Sequence, residues 1–373
     1  MPARPSAIGG YEDWPGWLRG RELHDGDETT RAVARLLGVP RPEPAHVRTA
    51  GAWEQDGVEV TELHWSVGFG PPTRAWALRP AGTAGPLPGV LALHCHGGVK
   101  SVGAAELLRT PADPAVAQRA RRDLYGGRAL AKDLARAGFA VLAHDTFGWG
   151  ARRFTLDPPP SGVQSALAGA EALWAATGTT PAPAELADTR YDAAAAAHEH
   201  VVAKAAGYLG TTFAGMVAYD DLVALGVLRG LDGVDADRTA VVGMSGGGGR
   251  AAQLAALDPR LTAAVVVAMM TTTQALFPAH VDAHSWLLAS PLGPDWGLPR
   301  LAAGRRRHDL MVLSFDQDEL FPSEGVRDAH RELRERYAEP GSAALEEAIL
   351  PGPHAFPPEA QDRAVEFLVR SLR

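Results

Sequence analysis

The sequence predicts an α/β protein with a mostly parallel central sheet flanked by helices. Three observations predict it. From Gly89 onward, short apolar runs alternate with helix-period patterns. Most of those runs are apolar almost without interruption, as strands buried on both faces must be. The chain, at 373 residues, is long enough to bury a large core in one elaborated domain.

The first 50 residues, rich in Pro, Gly, Trp and charge, read as an N-terminal appendage to a domain spanning 51–373. Val58 to Val67 and Arg74 to Leu78 form a hairpin around Gly70-Pro71-Pro72, giving antiparallel strands at the sheet edge. The parallel strands follow as Val90–Leu93, Ala140–Ala143, Thr239–Val242, Ala263–Ala268, Leu310–Phe315 and Leu345–Leu350. Between them, Arg128 to Ala137 carries Leu130 and Leu134 at i,i+4 and is stopped by Gly138. Phe213 to Leu231 sets Phe213, Val217, Ala224, Val227 and Leu231 on one stripe. Asp220 falls on that stripe, so it must find a hydrogen-bonding partner or sit where the face meets solvent. The last helix, Glu359 to Leu372, turns Ala364, Val365, Leu368 and Leu372 inward. Lid-like insertions at about 99–127, 152–209 and 271–308 follow strand ends, where they overhang the crevice in which α/β folds bind ligands.

A net charge of -8, with no basic block beyond Arg305-Arg306-Arg307, argues against a nucleic-acid partner. The single cysteine, Cys95, excludes an intrachain disulfide framework and a cysteine-based zinc cluster. Residues Met1 to Gly10 hold no apolar run fit for a signal peptide, and no segment reaches the roughly 18 apolar residues of a membrane span. A cytoplasmic protein without membrane contact is the expectation. The edge strands and the appendage allow a homodimer.

Gly243-Met244-Ser245-Gly246-Gly247 lies between the apolar run ending at Val242 and the helical pattern Arg250 to Leu257. It reads as a serine on a sharp strand-to-helix turn, where the glycines avoid collisions that side chains would make. Gly243, Gly247 and Gly249 also fit a turn that cradles a cofactor pyrophosphate, but such a turn belongs near the start of its fold. A serine hydroxyl needs a histidine base and an acid to orient that base, in the chain order serine, acid, histidine. Asp318, four residues before Pro322, supplies the acid, with Asp316 and Glu319 as alternatives. His354, on the rigid Pro351-Gly352-Pro353 loop, supplies the base. Main-chain N–H groups of Gly246 and of the His96-Gly97-Gly98 turn, Gly98 before Gly97, are the expected oxyanion donors.

His96, Asp145, Trp149, Met244, His284 and Trp286 are expected to shape the substrate pocket, or else to pack under long loops. His94-x-His96 also resembles the start of a metal-dependent amidohydrolase site, but that reading leaves Ser245, Asp318 and His354 unused, so no metal is expected. His198-Glu199-His200, in an alanine-rich stretch, has its histidines at i,i+2 on divergent faces and reads as solvated.

With the serine elbow, the His-Gly-Gly turn, the Asp-x-x-x-Pro loop and the terminal Gly-Pro-His in one order, the chain resembles the α/β-hydrolase superfamily. The match is closest to its dienelactone-hydrolase-like and acetyl-xylan-esterase-like branch, over about Val58 to Arg373. The Asp145-x-x-Gly148-x-Gly150 turn is similar to that branch as well, whereas dienelactone hydrolases proper carry cysteine where this chain has Ser245. The resemblance implies an α/β-hydrolase fold and a cofactor-free serine hydrolase acting on a small-molecule carboxylic ester. A peptidase or amidase, a thioesterase, a C–C bond hydrolase, an acyltransferase and a non-catalytic binding protein on the same scaffold remain alternatives.

Overall fold

A computed structural model describes residues 4–287 and 294–373. Its strands are β1 (Arg48–Gln55), β2 (Val58–Trp65), β3 (Thr73–Pro80), β4 (Leu87–Leu93), β5 (Ala140–His144), β6 (Val234–Met244), β7 (Ala263–Val267), β8 (Asp309–Phe315) and β9 (Leu345–Leu350). They form one sheet in the order β1-β2-β3-β5-β4-β6-β7-β8-β9. β1, β2, β3 and β5 pair antiparallel in succession, and every pair from β5–β4 onward is parallel.

The helices are α1 (Trp14–Leu18), α2 (Glu28–Leu37), α3 (Ala115–Tyr125), α4 (Leu130–Arg136), α5 (Ser161–Thr177), α6 (Pro183–Tyr208), α7 (Phe213–Gly230), α8 (Gly246–Leu257), α9 (Leu298–Ala303), α10 (Ser323–Tyr337) and α11 (Pro358–Ser371). Because side chains alternate across a strand, each buried strand feeds two cores. Leu91, Val241, Val266 and Val312 face α2, α7, α8, α9 and α10. Val90, Val242, Val265 and Leu313 face α4 and α11. Among the described residues, no single helix is long and apolar enough to cross a membrane.

All six expected parallel strands form, and the expected hairpin is β2–β3. The strand β1 adds an edge that the sequence did not announce, since RTAGAWEQ is polar, contains Gly51, and is mostly exposed or half-exposed. The stripe expected on α7 is not a stripe, because this helix is buried on nearly every side. The sheet covers one flank and the N-terminal residues cover another: Trp17 meets Tyr219 edge-on at 5.1 Å. Asp220 is therefore far from solvent and takes the other option, a buried two-point pair with Arg152 at 3.0 and 3.2 Å. Tyr11, Trp14, Val33 and Leu37 belong to the same core as Phe213 and Leu91, so the first 50 residues pack onto the sheet assembly.

The three insertions are helical in part. The first carries α3, the second the α5–α6 hairpin, and the third several short 3-10 turns and α9, with 288–293 outside the described residues.

Candidate active site

β6 ends at Met244 and α8 begins at Gly246, which leaves Ser245 alone in the turn with φ 54° and ψ -124°. A non-glycine residue with positive φ is strained, and it is held here because its N–H donates to Val267 O at 2.8 Å. The flanking glycines are needed for space. A Cβ on Gly243 would stand 2.2 Å from Gly247 O, and one on Gly247 would stand 2.3 Å from Leu93 O.

The Oγ of Ser245 lies 2.8 Å from His354 Nε2, and His354 Nδ1 lies 2.7 Å from Asp318 Oδ2. A carboxylate only accepts, so the Nδ1 carries the proton and the Nε2 is left to accept from the serine hydroxyl. Asp318 is buried, and its other oxygen accepts from Leu320 N–H at 3.0 Å. The two alternative acids are exposed. Asp316 has different work, accepting from Gly352 N–H at 2.9 Å and so stitching the acid loop to the base loop.

No protein-family model matches the chain. It is 25% identical over 319 residues to "Putative hydrolase YtaP" of Bacillus subtilis (strain 168), across 85% of this chain and 89% of that protein. The putative acetyl xylan esterase of Bacteroides fragilis NCTC 9343 superposes with a TM-score of 0.61 at 15% identity, covering 90% of this chain and 80% of that one. A glucuronoyl esterase from Solibacter usitatus superposes with a TM-score of 0.56 at 13% identity, covering 100% of this chain and 98% of that one.

The chain has the α/β-hydrolase fold.

In an α/β-hydrolase fold the first N–H groups of α8 have no intrahelical acceptor, so that of Gly246 stands free to meet a negative charge beside Ser245. The expected partner donor is placed differently. The N–H of Gly98 donates to the Nδ1 of its own neighbour His96 at 3.1 Å, which turns it into the loop. Gly97 and Gly98 both have positive φ, at 56° and 66°, as that tight turn requires. The main-chain group that approaches the elbow is instead His96 N, 2.8 Å from the position of a Cβ on Gly246.

His96 is fixed from its other side by Glu199, a residue that the sequence reading placed in a solvated stretch. Its Nε2 lies 2.7 Å from Glu199 Oε1, to which Lys100 Nζ also approaches at 2.6 Å. Burial raises the Glu199 carboxyl, but the Lys100 charge and the His96 hydrogen bond outweigh it and hold the group down at about 2. Burial likewise lowers Lys100, against the opposing pull of Glu199. The ammonium sits 4.5 Å from the Trp149 ring centre. The reading of His198-Glu199-His200 as solvated therefore holds only for His200. His198 and Glu199 are buried, because α6 lies across the β4 loop and the N-terminal residues, with His198 Nε2 2.7 Å from Ala7 O. A charged residue in an alanine-rich helix opposite a glycine-rich loop was the one available signal.

The remaining pocket expectations divide. His284 stacks on Phe321 at 4.9 Å, and Phe321 lies 6.3 Å from the His354 ring, so His284 is at the site. Trp286 is exposed, with its indole N–H donating to His200 Nδ1 at 3.0 Å. Trp149 is buried beneath the His96 loop, its Nε1–H reaching His96 O at 3.4 Å, and so supports the loop rather than walling an open pocket. Met244 points into the core with Val242 and Val267. Asp145 is buried, and its two oxygens accept from Ala104 and Ala151 N–H, both at 2.9 Å. It borders a cleft of about 890 Å³ shared with Arg74, Arg153 and Tyr191, which does not include Ser245 or His354.

Behind the elbow, Arg250 of α8 makes a two-point pair with Asp221 of α7 at 2.9 and 2.7 Å and donates to His94 O at 3.0 Å. Burial opposes ionisation of Asp221, but Arg250 prevails and holds that carboxyl well below its usual range. Among the described residues, no group of three His, Cys, Asp or Glu side chains could hold a metal ion.

Proposed function

We propose that this protein is a serine hydrolase that cleaves small-molecule carboxylic esters through an acyl-enzyme. The observation that carries the reading is the continuous line from Ser245 Oγ through His354 to Asp318, at 2.8 and 2.7 Å, on a strained elbow. The names of the solved neighbours, both esterases, support an ester over an amide, a thioester or a carbon–carbon bond.

Ser245 Oγ attacks the ester carbonyl carbon while its proton passes to His354 Nε2. The carbonyl π electrons move to oxygen, and the N–H of Gly246 and a main-chain N–H of the His96 loop receive that charge. Asp318 stabilises the imidazolium without taking its proton. Collapse of the tetrahedral species breaks the bond to the alcohol oxygen, which leaves with the proton from His354. Water, deprotonated by His354, then attacks the acyl carbon, and the serine departs with the proton returned to it.

Ser245→Ala is expected to cut turnover of p-nitrophenyl acetate by about 10⁴-fold or more. A fluorophosphonate should add one covalent mass to the wild type, on the peptide containing Ser245. Wild-type turnover in Ser245→Ala, or a folded wild type inert to every ester and to the probe, would sink the reading.

A further inference from the structure

The two main-chain N–H groups that would receive an oxyanion come from separate elements. Gly246 opens α8, and His96 belongs to the turn that follows β4; among the described residues, neither N–H has a protein acceptor. The sheet aligns these elements only as far as the rung that pairs Leu93 with Gly243. Beyond it the chains part, because Ser245 N–H turns away to Val267 O of β7 at 2.8 Å. Among the described residues, one hydrogen bond then joins α8 to the His94–Gly98 turn: Arg250 Nη1 donates to His94 O at 3.0 Å. The guanidinium is not free to aim elsewhere. Its Nε and Nη2 donate to the two oxygens of Asp221 on α7 at 2.9 and 2.7 Å, and both side chains are buried. A planar fork held at two points fixes the direction of its remaining donor.

We infer that Arg250 sets the spacing of the two oxyanion donors. The inference rests on the ester reading above and adds to that site a positioning residue, one that touches no reacting atom. Glycine contact stops the turn from coming closer to α8: a Cβ on Gly247 would stand 2.3 Å from Leu93 O and 2.8 Å from His94 O. The Arg250 hydrogen bond stops it from moving away. Glu199 ties His96 to α6 and leaves its distance from α8 unset. Without Arg250 the His96 N–H drifts from that of Gly246, and because hydrogen bonds weaken steeply with poor geometry, the oxyanion loses most of one donor. Ser245, His354 and Asp318 are held to one another by their own contacts, so the proton relay is untouched. Lysine supplies the charge that Asp221 needs, but without a planar fork it cannot hold Asp221 at two points and reach His94 O as well.

The test measures kcat and KM for p-nitrophenyl acetate as a function of pH, with urea unfolding of each variant. Arg250→Lys should lower kcat by about 10- to 100-fold with KM within about twofold of wild type, since a group that acts only on the transition state leaves ground-state binding alone. The acidic limb of the profile, which reports His354, should stay where it is in wild type. Arg250→Met combined with Asp221→Asn removes both buried charges, so it should unfold close to the wild-type urea midpoint and still show the low kcat. A kcat within about twofold of wild type in either variant, or a loss in Arg250→Lys that comes with a shifted acidic limb, overturns the inference and leaves the ester reading standing. Absence of any ester turnover by wild type, together with no fluorophosphonate adduct on Ser245, overturns the ester reading and this inference with it.

Discussion

The Nε2 of His330 lies 2.9 Å from the Oγ of Ser314, almost the separation found between His354 and Ser245. His330 Nδ1 is hydrogen-bonded in turn to Glu347, which Arg334 holds from outside at 2.6 Å. The protein thus contains a second serine–histidine–carboxylate line, running from β8 through α10 to β9. Ser314 lies within β8, both it and His330 are buried, and it lacks a strained turn and a helix N-terminus beside it. The hydrogen-bond order alone does not make a nucleophile; access and oxyanion donors decide.

Ser314→Ala should therefore leave p-nitrophenyl acetate turnover within about twofold of wild type while lowering stability by about 1 kcal/mol for the lost buried hydrogen bond. Steady-state kinetics and urea unfolding on the same preparation check both halves. A fluorophosphonate adduct on Ser314 would contradict the assignment.

Glu199 joins the His96 loop, the buried Lys100 and the Trp286 segment. Glu199→Ala leaves an ammonium buried without its counter-charge, so unfolding free energy should fall by about 3 to 5 kcal/mol. Glu199→Gln combined with Lys100→Met removes both charges and keeps an acceptor for His96 Nε2–H. That double variant should recover most of the loss and most of the ester turnover, measured by urea titration and acetate kinetics.

Glu106 is buried against Cys95 Sγ at 3.1 Å, and burial pushes its carboxyl up to about 8 from the ordinary 4.5. Between those values the unfolded chain has lost this proton while the folded chain keeps it, so stability falls as pH rises, by on the order of 1.4 kcal/mol per pH unit. Glutamine is neutral in both states. The stability advantage of Glu106→Gln over wild type should be near zero at pH 4.5, grow through pH 6 and 7, and level off above pH 8 in urea titrations. A difference independent of pH would refute this account.

Much of this was legible in the sequence because fold and chemistry share the same strand ends. The runs through Val241, Val265 and Val312 are apolar because both faces of those strands are covered, and the runs through Val241 and Val312 end beside turns rich in glycine or acid, as the run through Leu350 ends beside Pro351-Gly352-Pro353. Ser245, Asp318 and His354 could be named from those turns. What stayed hidden depends on contacts distant in sequence. Nothing near Glu199 shows that Lys100 and His96 face it, and Asp220 gives no sign of Arg152, 68 residues away. The direction of the Gly98 N–H was hidden for a different reason. A His-Gly-Gly turn lets the main chain face either way, and the His96 side chain decides.

The pairing of Phe315 with Leu350 brings the ends of β8 and β9 level, and Asp316 with Gly352 clasps the loops that leave them. Acid and base thus travel as one rigid cassette, three and four residues beyond a common rung. The three insertions leave the sheet elsewhere, after β4, β5 and β7. In the proposed hydrolase, proton transfer and substrate admission therefore rest on separate stretches of chain. A lineage can lengthen, shorten or resculpt the roof to accept a new alcohol or acid without retuning the relay beneath it.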